Sequence, residues 1–114
     1  MLGVLAAVMH GATLVILEGF SLLLVLSAVE EEKCTALYGV PIMFIVVLEH
    51  RTFARYDLSS LRTGIMAGSP CPVPVMEKVM DAMHMQEVTI CYGLTEASPV
   101  MTQTRVHDSL AQRT

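Results

Sequence analysis

The sequence predicts an α/β fold: a mainly parallel sheet with helices on both faces. Three observations point there. The 114 residues are 54% hydrophobic, enough to bury a core of single-domain size. Apolar stretches with helical spacing alternate with short β-branched ones, in the order helix, strand, helix, strand, helix, strand, helix, strand. That alternation builds parallel strands joined by crossover helices. No internal repeat or low-complexity linker interrupts it, so a single unit spanning 1–114 is expected.

Residues 1–10 read as the back part of a helix, closed by Gly11 where a left-handed residue is common. "ATLVIL", 12–17, is β-branched and apolar and predicts a strand, followed by the turn signal Glu18-Gly19. "SLLLVLSAVEEEK", 21–33, predicts a helix whose end carries Glu30, Glu31 and Glu32 as a solvated charge cluster. "CTALYG", 34–39, predicts the next strand. Pro41 then stands where the first helical turn tolerates a residue without an N–H. In "PIMFIVVLEHRTF" the residues Phe44, Val47, Leu48 and Arg51 recur at spacings of three and four, an apolar stripe with a polar exit. A turn is expected at Asp57-Leu58-Ser59-Ser60, a strand over 62–67 and a loop at 68–70. In "VPVMEKVMDAMHM" the residues Met76, Val79, Met80 and Met83 line one helix face as core, with Glu77, Lys78 and Asp81 turned outward. "EVTICY", 87–92, is the last predicted strand, and the polar stretch "VMTQTRVHDSLAQRT" carries no closing element.

Composition excludes several classes. Net charge is −4, with no basic stripe, so nucleic acid is not an expected partner. Cys34, Cys71 and Cys91 are odd in number and lie in apolar or proline-rich surroundings, which predicts reduced, inert core thiols rather than a disulfide framework. The four histidines show no metal-ligand spacing. The apolar first 29 residues are cut by His10, Gly11, Glu18 and Gly19. A membrane span needs roughly 18 uninterrupted apolar residues, so buried core is the preferred reading and no membrane span is expected. No Lys or Arg precedes the run, so no targeting signal is visible.

Open parallel sheets bind ligands beyond the carboxyl ends of their strands. Three loops leave such ends: Tyr38-Gly39-Val40-Pro41, Gly68-Ser69-Pro70, and Tyr92 to Pro99. In the last, Gly93 permits close backbone approach, Thr95 offers a hydroxyl, Glu96 a hard oxygen suited to Mg²⁺ and Tyr92 a flat face for a base. Those groups suit a nucleotide phosphate. The same residues also fit an ordinary strand-to-helix turn, with Thr95 as N-cap and Glu96 in the first turn.

"YGLTEASPV" resembles the signature that follows a core strand in the adenylate-forming enzymes, the acyl-CoA synthetases and their luciferase and adenylation-domain relatives. "HGATLVIL", "LYGVPIMF" and "YDLSSLRTGIMAGSPCP" precede it in the family's order, so the resemblance covers most of residues 1–104. It is closest to fatty acyl-CoA synthetases of the acyl-CoA synthetase family member 2 type. The resemblance implies that a fatty acid carboxylate attacks the α-phosphate of ATP to give an acyl-adenylate, from which coenzyme A displaces AMP. By position, Tyr92 would stack on adenine, with Gly93 beside it, Thr95 would bond the α-phosphate and Glu96 would hold Mg²⁺. Gly68, Ser69 and Pro70 would border adenine, and Tyr38, Gly39 and Pro41 would lie near the acyl pocket.

The resemblance also implies a fragment of the AMP-binding large domain, with the C-terminal small domain absent. The Ser/Thr/Gly-rich phosphate loop, the ribose-binding aspartate and the lysine of the small domain have no counterpart in these residues. Activity of the chain by itself is accordingly not expected. Relatives of this kind occur in bacterial cytoplasm and in mitochondria, so either cytoplasm or the mitochondrial matrix is expected. The alternative is a non-catalytic α/β module with weak nucleotide or protein binding, in which "EGFSLLLVLSAV" offers an exposed hydrophobic surface for a partner or self-association.

Overall fold

The computed structural model describes residues 2–114. The first helix, α1, runs Leu2–Met9 and stops where the sequence predicts. Gly11 adopts φ 63, the Gly11 N–H donates to Val8 O, and Ala12 N–H donates to Ala7 O. This paired closure satisfies carbonyls that the helix end would leave orphaned. A second helix, α2, spans Leu22–Glu32 and closes the same way on Lys33 (φ 51), with Cys34 N–H donating to Val29 O. A non-glycine residue there costs roughly 1 kcal/mol.

Strand β1 (Ala36–Gly39) leads through helix α3 (Pro41–Glu49) to strand β2 (Thr63–Ala67). Helix α4 (Val73–Ala82) then returns the chain to strand β3 (Glu87–Tyr92), and a two-residue strand, β4 (Thr102–Gln103), closes the sheet. The sheet order is β1-β2-β3-β4. Its first two pairings are parallel, as predicted, and the β3–β4 pairing is antiparallel. Gly39, Met66 and Ile90 share one row across the parallel strands.

Side chains alternate between the faces of each strand, so Leu37, Met66 and Val88 share a face. That face carries the core: they pack with Leu26 and Val29 of α2, Phe44 and Val47 of α3, and Met76 and Val79 of α4. The predicted stripes are therefore buried on α3 and α4. Met80 and Leu48 are only half-buried, and Arg51 lies beyond the end of α3, exposed. Gly64 is sterically required, because a Cβ would collide with Leu37 O of the neighbouring strand and the Met85 methyl. On the opposite face α1 approaches β1, where a Cβ on Gly3 would lie 3.3 Å from Tyr38 Cδ2, and Tyr38 stays half-exposed.

Two expectations are corrected. Residues 12–17 form no strand; they carry no regular secondary structure, and 12–16 are exposed. A β-branched pattern supplies the propensity, but a strand exists only where a neighbour pairs its backbone, and no strand lies beyond β1 among the described residues. Conversely, the polar stretch after Pro99 does supply a closing element, β4, followed by a single 3-10 turn at Leu110–Gln112 with a Ser109/Gln112 capping box. Glu31 and Glu32 are solvated as expected, whereas Glu30 is half-buried and accepts the Asp57 N–H at 3.1 Å. The predicted turn at 57–60 is present, with Asp57 Oδ1 accepting from the Ser59 N–H at 3.0 Å and hydroxyl at 2.6 Å. No helix among the described residues is long and apolar enough to cross a membrane.

Candidate functional site

Because β1, β2 and β3 are parallel and in register, the loops after Gly39, Ala67 and Tyr92 leave the same end of the sheet. Gly68 needs its glycine: φ is 91, and a Cβ there would meet Val40 Cγ1 at 3.2 Å. The loops that begin at Gly39 and Gly68 therefore touch. Gly68, Ser69 and Pro70 are exposed, while Pro41 is buried in the first turn of α3.

The third loop is closed on itself. A Cβ on Gly93 would collide with Pro99 O and stand 2.8 Å from Val100 Cα, and Met101 N–H donates to Tyr92 O at 2.9 Å. The close approach that Gly93 allows is thus to its own chain. Between these points Thr95–Ala97 forms one 3-10 turn, whose Ala97 N–H donates to Leu94 O at 2.9 Å. Leu94, not Thr95, holds the N-cap position, and no side chain caps the turn. Thr95 and Glu96 are exposed, and Tyr92 is 62% exposed at the strand end. The aromatic face, hydroxyl and carboxylate are left open to solvent.

No group of three or more His, Cys, Asp or Glu residues gathers at one point among the described residues. A divalent ion at Glu96 would therefore be held by one carboxylate together with oxygens of its ligand. Mg²⁺ accepts that arrangement, commonly using one or two carboxylates plus substrate phosphates, so the residues present fit it. Beside the loop, burial raises the Cys91 thiol above its ordinary pKa, keeping it protonated and poorly nucleophilic at neutral pH.

A large cavity lies elsewhere, at the β1 edge. It encloses about 940 Å³ between α1, residues 12–20, α2 and β1, and Leu14, Val15, Val29, Leu37 and Tyr38 are among its lining. Tyr38 and Gly39 also border a small cavity of about 20 Å³ beside Phe44. Tyr92, Gly93, Thr95 and Glu96 line neither. Of the sequence-predicted residues, Tyr38 and Gly39 thus reach apolar space, and the remainder cluster on the three exposed loops or at their roots.

Sequence reasoning passed over three residues that fasten the chain after the third loop to β3 and to Gln86 just before it: Gln103, Thr104 and Arg113. Gln103 Nε2 donates to Thr89 Oγ1 at 3.0 Å, and Thr104 Oγ1 accepts the Ile90 N–H at 2.9 Å. The alternation Thr102-Gln103-Thr104 is a strand signal that could have revealed β4. Arg113 carries no local signal.

A family model described as AMP-binding enzyme matches residues 1–114. The chain belongs to this family. It is 58% identical over 112 residues to the Bacillus subtilis protein YngI, named as a candidate acyl-CoA synthetase, covering 98% of the chain and 20% of that protein. It is 39% identical over 112 residues to the mouse medium-chain acyl-CoA ligase ACSF2, mitochondrial, covering 97% of the chain and 18% of that protein. Among solved structures, the anthranilate CoA ligase AuaEII in complex with anthranoyl-AMP superposes with a TM-score of 0.79 at 27% identity, covering 87% of the chain and 19% of that structure. The chain spans about a fifth of the length of the curated relatives it matches. The adenylate-forming resemblance and its α/β fold are thereby established for these residues.

Proposed function

We propose that this chain is the part of an AMP-forming fatty acyl-CoA ligase that presents the nucleotide at the carboxyl end of its sheet. The carrying observation is that three loops leave the same end of parallel, in-register strands, with Tyr92, Thr95 and Glu96 exposed on the third. Family membership over 1–114 and relatives named as acyl-CoA ligases support the ligase reading. Tyr92 offers its ring to adenine, and Gly68, Ser69 and Pro70 offer backbone along the base. Tyr38, Gly39 and Pro41 form the acyl side, in keeping with the apolar cavities that Tyr38 and Gly39 border.

In the reaction a carboxylate oxygen attacks the α-phosphorus of ATP, a new P–O bond forms, and the bond to pyrophosphate breaks. The coenzyme A thiol then attacks the acyl carbon, the bond to AMP breaks, and the thiol proton leaves to solvent or base. Negative charge accumulates on the α-phosphoryl oxygens as phosphorus becomes five-coordinate. Donors fixed beforehand at that position lower the barrier, because they need no reorganisation as charge develops. The Thr95 hydroxyl donates to an α-phosphate oxygen, and Glu96 orients Mg²⁺, which when bound neutralises phosphate charge.

The compartment follows the parent protein, cytoplasm or mitochondrial matrix. The test uses the ligase polypeptide that carries these residues and measures fatty-acid-dependent exchange of pyrophosphate into ATP. Thr95→Ala and Glu96→Ala are each expected to lower exchange by about 100-fold, the size of a lost transition-state donor. Unchanged exchange in both variants would refute these roles.

A further inference from the structure

The outer edge of β3 is covered by an unusual sequence of partners. At its carboxyl end Tyr92 O accepts from Met101 N–H, and β4 pairs Thr102 and Gln103 with Tyr92 and Cys91. One step down, Thr104 serves Ile90 three times: its N–H donates to Ile90 O at 2.9 Å, its hydroxyl oxygen accepts the Ile90 N–H at 2.9 Å, and the hydroxyl lies 3.3 Å from Ile90 O. Backbone pairing ends there. The next edge carbonyls, Val88 O and Gln86 O, are met by the Arg113 guanidinium, whose Nη1 donates to them at 3.1 and 3.0 Å.

Arg113 is only 7% exposed, and its Nε is buried without a partner among the described residues. Burying a guanidinium with one donor unmatched costs stability. The cost is offset by hydrogen bonds that a charged donor makes stronger than neutral ones. The backbone N–H of Arg113 also closes the last turn, donating to Ser109 O and Leu110 O. Residues 101–113 thus form a strap fastened at two ends, and the loop bearing Thr95 and Glu96 is the segment immediately preceding its upper end.

We propose that Arg113 is a positioning residue for the Tyr92–Glu96 loop: its guanidinium takes the place of a longer β4 along the lower edge of β3, and so fixes the limb from which that loop departs. Its relevance to nucleotide rests on the function proposed above. The anchoring itself does not. Without the guanidinium two edge carbonyls lose their donors, the strap hangs on Thr104 and β4, and the closure of Gly93 under Pro99 loosens.

The test compares wild type, Arg113→Met and Arg113→Lys in the complete ligase polypeptide. It reads hydrogen exchange at individual amides together with AMP titration. Met keeps the apolar stem without donors, and Lys restores a charged donor that reaches one or both carbonyls. In Arg113→Met the Ile90, Ala97, Met101 and Thr104 amides are expected to exchange about 10-fold faster through local opening, with the β1–β2 amides unchanged. AMP binding is expected to weaken by about the same factor, and Arg113→Lys to fall between. Should Arg113→Met fail to fold, the Lys variant carries the same comparison.

Unchanged exchange at those four amides, or acceleration spread equally to β1–β2, would overturn the proposal. Loosened exchange with undiminished AMP affinity would uphold the anchoring and count against the nucleotide role of the loop proposed above. If wild type itself binds no AMP, the function proposed above fails, and the exchange pattern still decides whether Arg113 sets the loop.

Discussion

Gly93 lies directly beneath the carbonyl of Pro99, with no room for a methyl group between them. The loop carrying Thr95 and Glu96 therefore depends on a hydrogen at one α-carbon. Gly93→Ala is expected to force the Pro99–Val100 backbone outward, breaking the Met101 to Tyr92 hydrogen bond. A cost of about 2 kcal/mol or more follows from overpacking against backbone that has no alternative rotamer. Thermal unfolding of the variant gives the number, and a loss below a few tenths would show that the loop yields freely.

The core offers a second measurement. Phe44 is 2% exposed and sits among Val47, Met66 and Met76. Phe44→Ala is expected to destabilise by about 3–5 kcal/mol, and Ile42→Ala, at an exposed position of the same helix, by far less. Equal losses in denaturant unfolding would contradict the assignment of the α3 faces.

Asp57 titrates below its ordinary value. The main causes are hydrogen bonds from the Ser59 hydroxyl and N–H, with Lys33 adding a smaller favourable charge at 3.9 Å. A depressed folded-state pKa means that the contribution to stability is present above the unfolded-state pKa and is lost as pH falls through the folded value. Ser59→Ala is expected to move the Asp57 titration upward, measured by NMR of its carboxyl carbon. An unshifted midpoint would remove the hydroxyl as the cause.

All three thiols are raised by burial. Cys71 is the buried one, while Cys34 and Cys91 are half-exposed. Alkylation at neutral pH is accordingly expected to be slow at every site and slowest at Cys71, because reaction needs both a thiolate and access. Mass spectrometry of a labelling time course reports the order. The expectation of uniformly buried thiols is thus met in full only at Cys71.

Local pattern carried much of the fold. Strand β3 occupies the predicted residues 87–92, and α3 and α4 bury the stripes that helical spacing marks out. Failures fall where the deciding partner is distant in sequence. "ATLVIL" has the composition of a strand and no neighbour, whereas Thr102–Gln103 is short and polar yet pairs because β3 presents an open edge. The site divides the same way. An aromatic ring, a hydroxyl and a carboxylate beyond a strand end could be read directly, but whether Gly93 approaches a ligand or its own Pro99 could not. Nor could Arg113 be picked out, since its partners are carbonyls 25 and 27 residues away.

Strand β1 stands last in the sheet, with an apolar hollow alongside and Tyr38 half-exposed on its surface. In concentrated solution that margin would template a visiting extended segment well before the interior melts, and the run at 12–17 of a second molecule has the right character. Shelf life of the isolated polypeptide would then be set by seeding at this border. Turbidity rising with concentration at temperatures below the unfolding midpoint would be its signature, and a lysine introduced at Ala36 should delay it.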